Sequence, residues 1–186
     1  MRTVTFILCV LFSISCYAQK IQGLYLTAND FGTNKISFMN SRIKTGLNSG
    51  RPFIKLRYRD SIYRFLKDSL FGFKTQEGVC YRFYKGLAYM LLNPGEQIPL
   101  YRTDRNTGTT KYPRTEISYF FSKTTESPIK ELALNTLFAD FASDTSFIHL
   151  VEIYFRSDKE LPAFDAYHKK YKLNRLLELS TQQKNN

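Results

Sequence analysis

The sequence predicts an α+β fold: an antiparallel β-meander of about seven or eight strands, with room for strong curvature toward a half-barrel, then about two or three C-terminal helices packed on one face. Three observations predict it. Short apolar runs fill the chain from Lys20 to Ser122 and are cut by turn residues. None is followed by a helix long enough for a parallel crossover, so the pairing should be antiparallel. Beyond Ser122 the apolar period changes to that of helices, whose stripes need a sheet face to cover.

Lys20–Leu26 reads as a first strand, ended by Thr27-Ala28-Asn29-Asp30-Phe31, where the Thr27 hydroxyl can cap a single helical turn. Lys35–Ser41 reads as a short strand and Thr45–Gly50 as a loop by composition. From Pro52 to Arg59, Ile54, Leu56 and Tyr58 alternate with Lys55, Arg57 and Arg59, the period of a half-buried strand. Asp60-Ser61 turns the chain into Ile62–Lys67. Asp68–Tyr101 is then the scaffold's centre. Leu70–Thr75, Val79–Tyr84, Leu87–Leu92 and Ile98–Thr103 are strands punctuated at Gly78, Gly86, Pro94 and Gly95. Phe71, Phe73, Tyr81, Phe83, Tyr89 and Leu91 should supply much of the inward surface. Pro99 cannot donate to a ladder, which argues for an edge strand or a bulge.

Asp104–Lys111 is a polar loop and Thr115–Ser122 the last strand. Ile129, Leu132, Ala133, Leu137 and Phe138 recur at helical spacing behind Ser127, a fair N-cap, and Pro128, suited to the first helical position. Asp144–Phe155 repeats the period. Ser157 and Glu160 have the spacing of a capping box, although Pro162 also suits a helix start. The stripe Phe164, Tyr167, Tyr171, Leu173, Leu176, Leu177 marks a last helix to about Leu179. Residues 19–179 read as one domain, with the sheet over about 20–122, the helices over about 128–179 and a frayed tail at 180–186.

Residues 1–18 read as a secretory leader: Met1-Arg2, an uncharged apolar run from Thr3 to Ser15, and Cys16-Tyr17-Ala18 before Gln19. The run is shorter than the about 20 apolar residues of a spanning helix. Cleavage after Ala18 removes Cys9 and Cys16 and leaves Cys80 without an intramolecular disulfide partner. A competing reading makes Cys16 a lipidated cysteine of an outer-membrane lipoprotein. The whole chain carries a net charge of +11. Outside the cytoplasm that charge favours acidic lipid head groups, glycans or proteins over nucleic acid, or it serves solubility alone.

GLYLTANDF near the start, DSLFGF, YRFY and LLNPGEQIPLY in the centre, the strand ISYFFS and the terminal SDKELPAFDAYHKKYKLNRLLE resemble, with the leader, a family of exported proteins of Gram-negative bacteria to which no activity is attached. The resemblance implies an exported, single-domain protein and transfers no catalytic residue.

The sequence carries no phosphate loop, dinucleotide fingerprint, nucleophile elbow, HExxH or cysteine pair, so neither catalytic nor metal-binding residues nor a cofactor is assigned. Cys80 reads as a small strand hydrophobe, with an intermolecular disulfide as one alternative and catalysis as another if His149 or His168 is folded against it. Asp165 and His168, three apart on an expected helix, share a face without further ligands. The candidate anion-binding set is Lys55, Arg57, Arg59, Arg64, Lys67, Arg102, Arg105, Lys111 and Arg114, interleaved with tyrosines. A solvated sheet face would also carry such residues. These readings converge on an exported cell-envelope binding or structural module that contacts an anionic glycan, lipid head group or acidic protein. The alternatives are a carrier of a small apolar or lipid-like ligand in an aromatic-lined sheet, and an enzyme without a familiar motif.

Overall fold

A computed structural model describes residues 21–45, 50–107 and 111–185. The expected loop over 45–50 falls largely outside these residues, as do the expected leader over residues 1–18 and Cys16. In chain order the elements are β1 (Gly23–Tyr25), α1 (Ala28–Gly32), β2 (Arg42–Thr45), β3 (Phe53–Tyr58), β4 (Ser61–Leu66), β5 (Gly72–Lys74), β6 (Cys80–Tyr84), β7 (Leu87–Leu91), β8 (Leu100–Asn106), β9 (Thr115–Phe121), β10 (Lys130–Glu131), α2 (Leu134–Asp140), α3 (Thr145–Tyr154), β11 (Phe164–Asp165), β12 (Lys170–Tyr171) and α4 (Lys172–Asn185). The fold is α+β. An open antiparallel sheet of seven strands runs in the order β1-β5-β6-β7-β8-β9-β10, and β2-β3-β4 form a separate three-stranded sheet.

Pairing register assigns the faces, because successive side chains alternate across a strand. Tyr81 pairs with Met90 and Phe83 with Ala88, so Phe73, Tyr81 and Phe83 lie on one face, while Cys80, Arg82, Tyr89 and Leu91 lie on the other. The first face is covered twice. At the β1/β5/β6 end the three-stranded sheet packs Ile54 and Leu56 against Leu24, Phe73 and Phe83. At the other end α2, α3 and α4 pack Leu137, Phe147, Val151, Leu173 and Leu176 against Leu100 and Phe121. The opposite face carries Tyr25, Cys80, Tyr89, Leu91, Tyr101 and Ile129, with Phe31 of α1 packed against them. The expected inward residues of the central stretch are therefore divided between two faces.

Local chemistry explains the joints. Thr27 and Asp30 form a reciprocal capping box at α1: the Asp30 N–H donates to Thr27 Oγ1 (3.0 Å) and the Thr27 N–H to Asp30 Oδ2 (3.2 Å). Lys85-Gly86 makes the two-residue β6–β7 turn with both φ angles positive, 48° and 73°, as a primed hairpin turn requires. Gly72 has no room for a side chain, because an added Cβ would stand 2.0 Å from the Tyr81 carbonyl oxygen. Asn174, buried on α4, accepts from the Ile98 N–H (2.7 Å) and donates to the Ile98 carbonyl (2.9 Å), satisfying both backbone groups of the residue before Pro99.

Several expectations are corrected. Pro99 precedes β8, which lies between β7 and β9 rather than at an edge; Asn93 and Asn174 supply the local hydrogen bonds, and the Pro99 carbonyl accepts from Ser122. Lys35–Ser41 makes only an isolated bridge, Leu24 to Ser37, because Phe38 and Asn40 take left-handed φ angles of 53° and 61°. The helix expected behind Ser127-Pro128 begins at Leu134, since β10 pairs with β9 and holds the chain extended. Ser157 makes no capping bond; Glu160 instead accepts from the Arg156 N–H at 2.7 Å. The last stripe starts as the hairpin β11–β12, which leaves Tyr167 89% exposed, and α4 runs to Asn185. No helix among the described residues is long and apolar enough to cross a membrane.

Candidate anion-binding face

The expected basic set separates into groups with different physical roles. Lys55 and Arg57 project from the outer face of β3, because Ile54 and Leu56 between them are fully buried. Register brings Arg64 of β4 directly opposite Lys55, and Arg42 of β2 directly opposite Arg57. Directly opposed residues sit about 4.5–5.5 Å apart at Cβ, and like charges there repel. The face therefore holds Arg42, Lys55, Arg57 and Arg64 as two like-charged pairs, none of them in a salt bridge or side-chain hydrogen bond among the described residues. Arg64 lies flat against Phe53, its guanidinium carbon 3.5 Å from the ring centroid, which fixes the side chain without neutralising it. Ile62 and Leu66, 62% and 60% exposed, point to the same side, in register with Arg57 and Phe53.

Arg59 stands in the β3–β4 turn with φ at 53° and its guanidinium carbon 5.2 Å from the Tyr58 ring centroid. Lys67 leaves the set. It occupies the first position of a short 3-10 turn, its N–H bonds to the Pro52 carbonyl at 2.8 Å, and its side chain is fully buried. Burial pushes its ammonium pKa down, with Asp68 opposing. Arg102 is also engaged, gripping Asp104 through Nε (2.6 Å) and Nη2 (2.7 Å); these bonds hold the Asp104 carboxyl below the usual range. Arg105 is exposed on β8 opposite Glu116. Lys111, with Nζ 5.6 Å from the Tyr112 ring centroid, and Arg114 follow toward β9. These three share no sheet with Lys55, Arg57 and Arg64. Arg42 was hidden from the sequence because β2 is short and its alternation does not reveal a strand.

Outside this face, the thiol and the histidines singled out by sequence stand apart from one another among the described residues. Cys80 is buried beside Tyr25, its thiol pKa pushed up by burial, and no histidine bonds to it. His149 is exposed on α3. Asp165 and His168 do meet, at 2.7 Å, but within the β11–β12 turn rather than on a helix, where Asp165 also accepts from the Tyr167 and His168 N–H groups. Those bonds hold its carboxyl below the usual range. No group of three or more metal-ligating side chains occurs among the described residues.

Among the described residues, cavities border the seven-stranded sheet at two places. One, of about 590 Å³, opens where β7 and β8 diverge after pairing through Met90–Arg102 and Leu91–Tyr101. The other, of about 520 Å³, lies under α1 on the face carrying Cys80, Arg82 and Tyr101. The chain matches no protein-family model, no curated protein and no solved structure.

Proposed function

We propose that the chain is an exported module of the cell envelope that docks on an anionic lipid surface through the outer face of the three-stranded sheet. The export part rests on the leader pattern of residues 1–18. The docking part rests on one observation: two like-charged cross-strand pairs without a carboxylate among them, bordered by exposed Ile62 and Leu66. Self-repulsion weakens the folded sheet, and an anionic partner converts it into attraction. The mixture of cations and exposed aliphatics favours lipid over a purely polar polyanion. Each Lys or Arg near an anionic leaflet contributes about 1 kcal/mol, and apolar side chains add burial at the head-group boundary.

Co-sedimentation with vesicles tests this. The protein should bind phosphatidylglycerol vesicles, release them as salt rises from about 0.05 to 0.5 M, and ignore phosphatidylcholine vesicles. Changing Lys55, Arg57 and Arg64 together to Ser should lower binding by roughly 100-fold, three contributions of about 1 kcal/mol. Ile62→Ser with Leu66→Ser should weaken it at constant charge. Unchanged binding of the triple variant overturns the reading. Binding of an acidic polysaccharide, unaffected by the Ile62 and Leu66 changes, would assign the face to glycan.

A further inference from the structure

The cavity beneath α1 contains a charge that the fold does not neutralise. Arg82 is only 6% exposed. Its Nη1 donates to Tyr101 Oη (3.1 Å) and Ser122 Oγ (3.3 Å), and its Nη2 to the carbonyls of Glu126 (3.2 Å) and Ser127 (2.9 Å). All four acceptors are neutral oxygens. Its Nε is buried without a partner. The Phe71, Tyr84 and Tyr101 ring centroids stand 5.4, 5.8 and 5.9 Å from the guanidinium carbon, so the group is wrapped in rings rather than paired with an acid. A buried ion is costly unless paired, and neutral acceptors spread a charge without cancelling it.

The other titratable groups of the cavity do not supply the missing anion. Cys80 and Tyr25 line it, and burial pushes both pKa values up, toward the neutral thiol and phenol. Glu96 is the one acid in the lining. It accepts from Asn93 Nδ2 at 3.1 Å within the Asn93–Glu96 turn, makes no bond to Arg82, and burial raises its pKa. Lys74 adds a second cation. The walls are otherwise largely apolar, with Tyr25, Phe31, Phe71, Leu91 and Tyr101 the main surfaces, and a volume of about 520 Å³ falls within the usual range for small-molecule sites.

We propose that this cavity binds a small apolar molecule bearing one carboxylate, with the body against the rings under α1 and the carboxylate against the guanidinium of Arg82. The site is separate from the basic face of the three-stranded sheet and does not depend on it. Arg82 has two tasks in one side chain: it clamps the 126–127 backbone to the sheet, and its uncancelled charge selects an anion for an otherwise apolar pocket.

Calorimetric titration of the full chain with dodecanoate and with dodecanol separates charge recognition from apolar burial. Dodecanoate should bind saturably at one site per chain, at least tenfold more tightly than dodecanol. Arg82→Leu also loses the clamp and can fail by unfolding, so the deciding variant is Gly32→Phe. Gly32 lines the cavity, and a Cβ added there meets no heavy atom within 4 Å, so a side chain can be built at the rim without a clash at its first carbon. Gly32→Phe should weaken dodecanoate at least tenfold, while the Lys55, Arg57, Arg64 to Ser variant leaves it unchanged. Absence of saturable binding, equal affinity for acid and alcohol, or indifference to Gly32→Phe each overturns the proposal. Loss of dodecanoate in the triple Ser variant would move the binding to the basic face and overturn it too.

Discussion

Arg82 and the arginines of the three-stranded sheet are the same residue type under opposite physical regimes. Arg82 is buried on the seven-stranded sheet, and its hydrogen bonds tie β6 to Tyr101, Ser122 and the segment leading to β10. Arg42, Arg57 and Arg64 stand in water on a sheet whose inner face alone is packed, and each has a like charge directly opposite. The fold depends on the first and merely tolerates the others. Arg82 joins a structural clamp to an uncancelled buried charge, whereas the exposed arginines add no bond to the fold and are carried at a small cost, which points to a function outside it.

The largest expected effect breaks this contrast from the buried side. Arg82→Leu strands the carbonyls of Glu126 and Ser127 and leaves Tyr101 and Ser122 bonded only to each other and to the Thr124 carbonyl. The Glu126 and Ser127 carbonyls are only partly buried, so water recovers part of the about 1–3 kcal/mol that each orphaned acceptor costs, and a net loss of about 1–2 kcal/mol is expected. In urea the midpoint should fall by roughly 1 M. A loss below about 0.5 kcal/mol would show that Arg82 is not structural and stands no differently in the fold from the exposed arginines.

The same contrast marks what the sequence revealed. Strict alternation over Ile54–Tyr58 exposed β3 and the outward direction of Lys55 and Arg57, because one face of that strand is packed and the other wet. Thr27 signalled a helix start, and its hydroxyl accepts from the Asp30 N–H; the helical period from Asp144 marked α3, whose first turn Asp144 caps by accepting from the Phe147 N–H. What stayed hidden depends on partners distant in sequence. Ser127-Pro128 has the chemistry of a helix start, yet Arg82, 45 residues upstream of Ser127, bonds to its carbonyl, and pairing of β10 with β9 keeps the following residues extended. Phe164, Tyr167 and Tyr171 fit a helical stripe, but Asp165 captures two backbone N–H groups and turns the chain into a hairpin. Lys67 groups with Arg64 by charge alone; it keeps the parity of Tyr63 and Phe65 rather than that of Arg64, and it is buried where the strand stops at Leu66 and the 3-10 turn begins. Arg82 itself, inside the aromatic strand CYRFY, carried no local sign of burial.

An intermediate case is the acid–base clasp of Glu178 on α4 with Lys170 on β12 and Arg175, the last at 3.4 Å. Its hydrogen bond to Lys170, then attraction to both cations, holds the Glu178 carboxyl below its usual value. A carboxylate with a depressed folded-state pKa contributes stability that is present above the unfolded pKa and lost as pH falls through the folded one. Glu178→Gln should therefore cost about 0.5–1 kcal/mol at neutral pH, the range for partly exposed pairs, and nothing in acid below the folded pKa of Glu178. Denaturation of both proteins across pH 2–7 checks this; a penalty that persists in acid would mean the contact is steric rather than ionic.

The smallest expected effect has an unusual sign. Removing a charged side chain from a surface is ordinarily neutral or slightly harmful. Here Arg57→Ser deletes one member of the Arg42–Arg57 pair, and Arg64→Ser one member of the Lys55–Arg64 pair. Directly opposed like charges cost roughly 0.2–1 kcal/mol, reduced by water, and Arg64 gives up its contact with Phe53 in return. The double variant should thus be more stable than the wild type by about 0.5 kcal/mol at low salt, and the gain should vanish near 1 M salt, where the screening length is about 3 Å. A gain in stability coupled to a loss of vesicle binding places these arginines under a requirement other than folding. If the variant is instead destabilised at both salt concentrations, the four cations belong to the sheet's own packing, and the distinction between Arg82 and the exposed arginines disappears.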